Sequence, residues 1–276
     1  NSVLNNIDIM NNYSASSGGG MFLNSSSPTL TNVTISGNTA SNCGGGMFLN
    51  SSSPTLTNVT ISGNTASNWG GGMYLGYSSP TLTDVTFSDN TATMGGGMQL
   101  WQSSPTLTNV TISGNTATSG GGMFLEQSSN PTLTNSILWG NSPVVFEGGD
   151  WDPNSITITY SDIQGGLDSI VTNDNGTVTW GDGSIDVDPR FVDEDNGNYH
   201  LLATSQLINA GHPDSTDSDG SRADMGAYPY LNSYSGPTWY IAESGNDTTA
   251  TGASGDPFRS IQSGINFSSD ADSVTV

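Results

Sequence analysis

Four aspartates, Asp214, Asp217, Asp219 and Asp224, surround Gly220 in the segment DSTDSDGSRAD. Calcium takes several oxygen ligands from a loop with a sharp turn. The segment is therefore the candidate metal site, and calcium is the one cofactor the sequence suggests. Its spacing is not that of an EF-hand, and no terminal Glu follows. Glycoside cleavage would need two carboxylates roughly 5–9.5 Å apart. The repeated part of the chain offers only Asp8, Asp84, Asp89 and Glu126, and the loops after it add Asp150, Asp152, Asp162 and Asp168. Asp84 and Asp89 are read as standing in for ladder asparagines, a structural replacement. His200, in NYHLLAT, and His212, before Pro213, have no partner at metal-ligand spacing and read as surface imidazoles. The expectation is a chain without catalysis.

Repetition creates two further arrays. Thr29, Thr55, Thr81, Thr106 and Thr132 stand beside Thr31, Thr57, Thr83, Thr108 and Thr134. Such a flat Thr-x-Thr array resembles the face of an ice-binding solenoid. Outward threonine is also simply a good strand former that stacks without charge. Phe22, Phe48, Tyr74, Gln99 and Phe124 form a second outward column, with Tyr77 and Trp101 nearby. An exposed aromatic strip of this kind marks a contact surface, for sugars or a partner subunit, unless a loop covers it. Cys43 falls in the variable column Ser17, Cys43, Trp69, Met94, Ser119, to which no fixed role is assigned.

Composition narrows the function classes. The 276 residues carry a net charge of −22, with no Lys and only Arg190, Arg222 and Arg259 as cations. Nucleic acid and anionic membrane surfaces both require several basic contacts, so neither is an expected partner. Only four of the 25 acids precede residue 147, which leaves a nearly uncharged first half and an acidic second half. A single cysteine excludes an internal disulfide, and no apolar run is long enough to span a bilayer.

The elements that position these residues come from one repeat. GGGMFLNSSSPTLTNVTISGNTASNC starts at Gly18 and recurs in close variants at Gly44, Gly70, Gly95 and Gly120, at spacings of 26, 26, 25 and 25. A strict period of this length means a solenoid. PTLTNVTIS is β-branched and alternating, which excludes helical repeats. Leu30, Val33 and Ile35 point inward. The alternation breaks at Asn32, where a left-handed corner would restore it. GMFL adds a third strand, with Met21 and Leu23 inward. The predicted fold is all-β, a right-handed single-stranded parallel β-helix of 25–26-residue, three-strand coils, plus one short capping helix. Stacking would set equivalent residues about 4.8 Å apart, with a corner ladder Asn6, Asn32, Asn58, Asp84, Asn109, Asn135. The sequons at Asn32, Asn58 and Asn109 lie in that ladder, and their asparagines are expected to be buried and unglycosylated.

Past Asn141 the segments NSILWGNS, ITYSDIQGG, DVDPRFVDEDNGNYHLLATSQLINAG and RADMGAYPY resemble the closing section of bacterial β-helix surface proteins with a choice-of-anchor Q domain. The coils before them resemble the pectate-lyase-like superfamily. The resemblance implies an exported or surface-attached protein. Pectate lyases of that fold use a basic residue and calcium-holding acids, and the three arginines here all lie outside the regular coils. Residues 238–276 read as the opening of such a domain: a strand, a loop, a helix with Asp256 as N-cap and Pro257 first, and another strand. Phe258, Ile261 and Ile265 are expected on one face of that helix.

The domain reading is 1–145, regular coils; 146–232, an acidic closing section; 233–276, a linker and an opening or capping segment. SVLNNIDIMNN aligns with PTLTNVTISGN, so the sequence is read as beginning inside a coil. Trp239, Ile241, Phe258, Ile261, Ile265, Val274 and Val276 would then cap Val3, Leu4, Ile7 and Ile9 of a neighbouring copy, end to end. The expected function is a structural or adhesive extracellular or cell-surface module. Carbohydrate binding or cleavage, and ice binding, are the alternatives.

Overall fold

The computed structural model describes residues 2–142, 152–174 and 176–276, and of residues 146–148 only the backbone. Each regular coil contributes an eight-residue strand: Thr29–Ser36, Thr55–Ser62, Thr81–Ser88 and Thr106–Ser113. They pair parallel and in register, Leu30 on Leu56, Leu56 on Leu82, Leu82 on Leu107. Val3–Met10 flanks this series on one side, and Thr132–Thr134, Asn154–Thr159 and Gly176–Trp180 extend it on the other. A second sheet stacks strands from Met21–Asn24 through Met123–Glu126 to Ile170–Val171. A third wall consists of Tyr13–Ser14, Thr39–Ala40 and Thr65–Ala66, continued by bridges at Thr91, Thr116 and Ser142.

The corner at Asn32 is left-handed as expected, with φ of 52°, and Asn6, Asn58, Asp84, Asn109 and Asn135 repeat it at 51–55°. It does not divide the strand in two. Pairing resumes at Val33 on Val59 because the next coil bends at the same residue. The third strand is instead the short Thr39–Ala40 pair. Leu30, Val33, Ile35, Met47 and Leu49 and their equivalents in the coils that follow are almost wholly excluded from water and form one continuous core along the stack.

Two polar ladders run beside that core. In the exposed one, Asn58 Nδ2 donates to Asn32 Oδ1 (2.8 Å) and Asn32 Nδ2 to Asn6 Oδ1 (3.0 Å). Asn32 and Asn58 are solvent-exposed, which corrects the expectation that they are buried. A corner turned outward leaves the amide at the rim, held by its neighbours. The buried ladder is Asn38, Asn64, Asn90, Asn115 and Asn141, with the exposed Asn12 at its end. Asn90 Oδ1 accepts from both the backbone N (3.0 Å) and Nδ2 (3.0 Å) of Asn64, while its own Nδ2 donates to Ile61 O (2.8 Å) and Asn115 Oδ1 (2.9 Å). Asp89 belongs to neither ladder. It aligns with Gly63 and Gly114, donates its backbone N to Ser113 O, and takes the left-handed φ of that column, 55°. The triple glycines answer to space: a Cβ on Gly71 would lie 2.5 Å from Gly96 O and 2.6 Å from Thr91 O.

After the last stacked strands the chain folds back over the outside of the large sheet. Gly226 N donates to Asn135 O (2.8 Å), Ala227 N to Thr111 Oγ1 (3.0 Å), and Tyr228 Oη meets Thr60 Oγ1 at 3.5 Å. Residues 238–276 then build a small α/β unit. Thr238–Tyr240 pairs parallel with Ser273–Thr275, and the helix Ile261–Phe267 packs its Gly264 on Ile241 and Val274. The helix is capped by Ser260, whose Oγ accepts from Ser263 N, and not by Asp256. Asp256 instead accepts from Thr251 N (2.8 Å) and Thr251 Oγ1 (3.1 Å). Because the helix begins four residues later than expected, Phe258 precedes it and shares no face with Ile261 and Ile265.

The ladders make a graded prediction. Asn90→Ala strips an acceptor from two buried donors and a donor from Ile61 O, and should cost about 2–4 kcal/mol. Asn58→Gly keeps the left-handed corner and loses only an exposed bond, so it should cost under about 1 kcal/mol. Urea unfolding of the two variants measures the difference, and equal losses would remove the buried ladder from its assigned role.

Candidate functional site

The outward residues of the second sheet form the most distinctive surface. Phe22 and Phe48 stack with ring centroids 4.8 Å apart at 13°, and Phe48 and Tyr74 at 5.1 Å and 3°. The in-register pairing of Phe22 with Phe48 and Phe48 with Tyr74 imposes this geometry. The next member is Gln99, paired with Tyr74 and Phe124. Here the exposed strip ends: Phe22 is 57% exposed, whereas Phe124 is 6% exposed and does not belong to the surface it was expected to share.

The break in the aromatic column opens a cavity of about 330 Å³, lined by Trp69, Tyr74, Met94, Gln99, Trp101 and Glu126. Three stacked columns bring these residues together, through Trp69 beside Met94, Tyr74 beside Gln99, and Trp101 beside Glu126. Gln99 is buried. Its Nε2 donates to Glu126 Oε2 (2.8 Å), and its Oε1 has no hydrogen-bond partner. Burial pushes the Glu126 carboxyl above its ordinary pKa, against the opposing pull of the Gln99 hydrogen bond. The sequence had assigned no role to the column before each GGG, yet Trp69 and Met94 form one wall of this cavity. Reading the three columns side by side would have found it.

The other predicted groups are dispersed. Asp224 is buried and accepts from Asn209 N (2.6 Å) and Tyr230 N (2.7 Å). Asp217 accepts from Asp224 N (2.9 Å) and Asp219 from Ser221 N (3.0 Å) and Asn232 N (2.7 Å), while Asp214 is exposed. The carboxylates of Asp217, Asp219 and Asp224 each accept backbone donors of their own turns. Among the described residues no three His, Cys, Asp or Glu side chains are grouped to hold a metal ion. Asp150 lies outside the described residues. Asp84 accepts from Asn109 Nδ2 (2.9 Å), and Asp89 is hydrogen-bonded by Tyr199. His200 is exposed, as expected. Burial lifts the Cys43 thiol to about 11, so it is not poised as a nucleophile.

Thr55, Thr81, Thr106 and Thr132 are exposed, but Thr31, Thr57, Thr83, Thr108 and Thr134 are half-buried. The fold-back segment buries Thr111 and Ser113 further along the same strands. Of the apolar residues expected to join copies, Trp239, Ile241 and Phe258 are buried in the chain's own second core with Leu201, Leu207 and Met225. This corrects their assignment to an assembly surface. Ile261, Ile265 and Val276 remain over half exposed, at 54%, 53% and 81%. Leu4 and Ile9 pack partly against the main core, Val274 packs partly against the second, and Val3 and Ile7 are exposed.

Residues 1–138 match the family described as right handed beta helix region. The chain belongs to the right-handed β-helix family. Searches of curated proteins and of solved structures found no match. Among β-helix proteins are both enzymes and non-enzymes, so membership fixes the scaffold and leaves activity to the side chains on it.

Two carboxyls of this β-helix are strongly perturbed. Burial lifts Asp162 from 3.8 to about 7, against a hydrogen bond from Val187 N and with help from Asp186 and Asp188. Its Oδ2 is buried without a partner. Burial also lifts Asp224 to about 7, against the backbone donors of Asn209 and Tyr230. Both are almost fully enclosed and unreachable by a substrate. In the folded chain each keeps a proton that the unfolded chain has released, so these groups make stability fall as pH rises from about 4 to about 7. Asp162→Asn should flatten that slope by at most about 1.4 kcal/mol per pH unit and stabilise the chain at pH 8, as read by thermal melts across pH. A slope unchanged by the substitution would show that Asp162 is not the titrating group.

Proposed function

We propose that this β-helix is a non-catalytic structural or adhesive module of an extracellular or cell-surface protein, joined end to end to further β-helix units through residues 238–276. One observation carries the reading. Those residues form a parallel strand pair, Trp239 on Val274, 35 residues apart in sequence and backed by a helix, with Ile261 and Ile265 turned to solvent. A parallel pair with an open strand edge is a template for another strand. A helix face carrying two exposed isoleucines four residues apart is suited to docking. Heterologous contacts of this kind extend into an open series.

Other features agree. The coils are nearly free of charge and cation, and Asp84, Asp89 and Glu126 are each engaged by neighbouring side chains. The resemblance of the closing segments to choice-of-anchor Q proteins, and of the coils to pectate-lyase-like ones, favours an exported chain. A second reading, glycan contact, is favoured by the stacked strip Phe22, Phe48 and Tyr74, since aromatic faces pack well on sugar rings.

Ile261→Glu with Ile265→Glu should leave the circular dichroism spectrum unchanged while abolishing concentration-dependent association. Sedimentation velocity and negative-stain microscopy of both proteins provide the measurement. A wild-type chain that stays monomeric at every concentration, or filaments that persist in the double variant, would contradict end-to-end joining through this unit.

A further inference from the structure

The cavity beside Gln99 combines two features that together define a ligand. Its walls are aromatic: Tyr74 and Trp69 lie with centroids 6.3 Å apart at 30°, and Trp101 projects from the neighbouring strand position. Its polar groups are Glu126 and Gln99, and they are short of donors. The only donor recorded on the Glu126 carboxylate is Gln99 Nε2, and Gln99 Oε1 has none. The chain has no Lys, and Arg190, Arg222 and Arg259 belong to later parts of it. The one ion pair among the described residues is Arg190 with Asp188. A half-buried carboxylate among indole and phenol rings, with no cation of its own, is complementary to a cation brought by a ligand. Ring faces attract such a charge, most strongly where water is displaced.

We propose that this cavity binds a protonated primary amine on an apolar stem, with the ammonium group between the Trp69, Tyr74 and Trp101 rings and its N–H donors directed to the Glu126 carboxylate, which the buried Gln99 holds in place. A neutral sugar could stack on the same rings but would leave the carboxylate uncompensated. The volume of about 330 Å³ accommodates a butylamine-sized group. That chemistry is shared by a free alkylamine and by a lysine side chain of another protein.

Titration calorimetry on the whole chain tests it with four probes: n-butylammonium chloride, Nα-acetyl-lysine amide, n-butanol and methyl glucoside. The expected result is saturable binding of the amines at constant ionic strength. It should weaken at least about tenfold in Glu126→Gln, which keeps a side chain able to pair with Gln99, and in Trp101→Ala. Tighter binding of the lysine amide than of butylammonium assigns a protein lysine, and the reverse assigns a free amine. Equal binding of butanol or methyl glucoside, amine affinity unaltered by Glu126→Gln in a variant of unchanged melting temperature, or no saturable amine binding would each overturn the proposal.

Discussion

A primary amide carries both a donor and an acceptor, so it can pair with a copy of itself one coil away. The stack depends on that property. In a parallel solenoid every side chain faces its own equivalent above and below, and any group that cannot tolerate its own likeness is excluded. Carboxylates and ammonium groups repel. Asparagine, serine, threonine and aromatic rings do not. The buried line from Asn38 to Asn141 uses this to satisfy backbone donors at every turn, with Oδ1 accepting from the preceding asparagine's backbone N and Nδ2. Serine does the same at Ser52, Ser78 and Ser103, where each hydroxyl accepts the backbone N of the preceding coil.

The same constraint explains where chemistry can enter. A site arises only where a column departs from its repeat. Gln99 interrupts the rings, Trp69 and Met94 replace smaller neighbours, and Glu126 is a rare charge within the coils. These departures fall side by side and open the aromatic cavity. Asp84 is a milder departure, accepting from Asn109 in an otherwise amide column. The strongly shifted carboxyls, Asp162 and Asp224, sit where the repeat has decayed and the fold-back seals the stack.

The scaffold was legible because the period writes each contact many times: coil length, inward columns and left-handed corners all follow from residues compared at a spacing of 25 or 26. Contacts made once were not legible. Tyr228 reaches Thr60 across 168 positions and Ala227 reaches Thr111 across 116, and no periodicity announces either. The helix start is obscured for a local reason: Asp256–Pro257 is a good capping pair, but its carboxylate is already engaged by Thr251. The aromatic cavity was half legible. Its strip is plain in the sequence, but the variable column at Trp69 is not, because variation within a repeat hides a residue's role as readily as it removes one.

The central claim is that residues one period apart are nearest neighbours on parallel strands. Paired nitroxides test it most directly. With Cys43 replaced by serine, labels on cysteines at Thr55 and Thr81, exposed positions paired in the structure, should lie about 5 Å apart at the backbone and show strong dipolar broadening. Labels at Thr55 and Thr132, three coils apart, should show far less. Sharp, uncoupled spectra from the Thr55–Thr81 pair in a folded chain would contradict the stacked register on which the rest of the account is built.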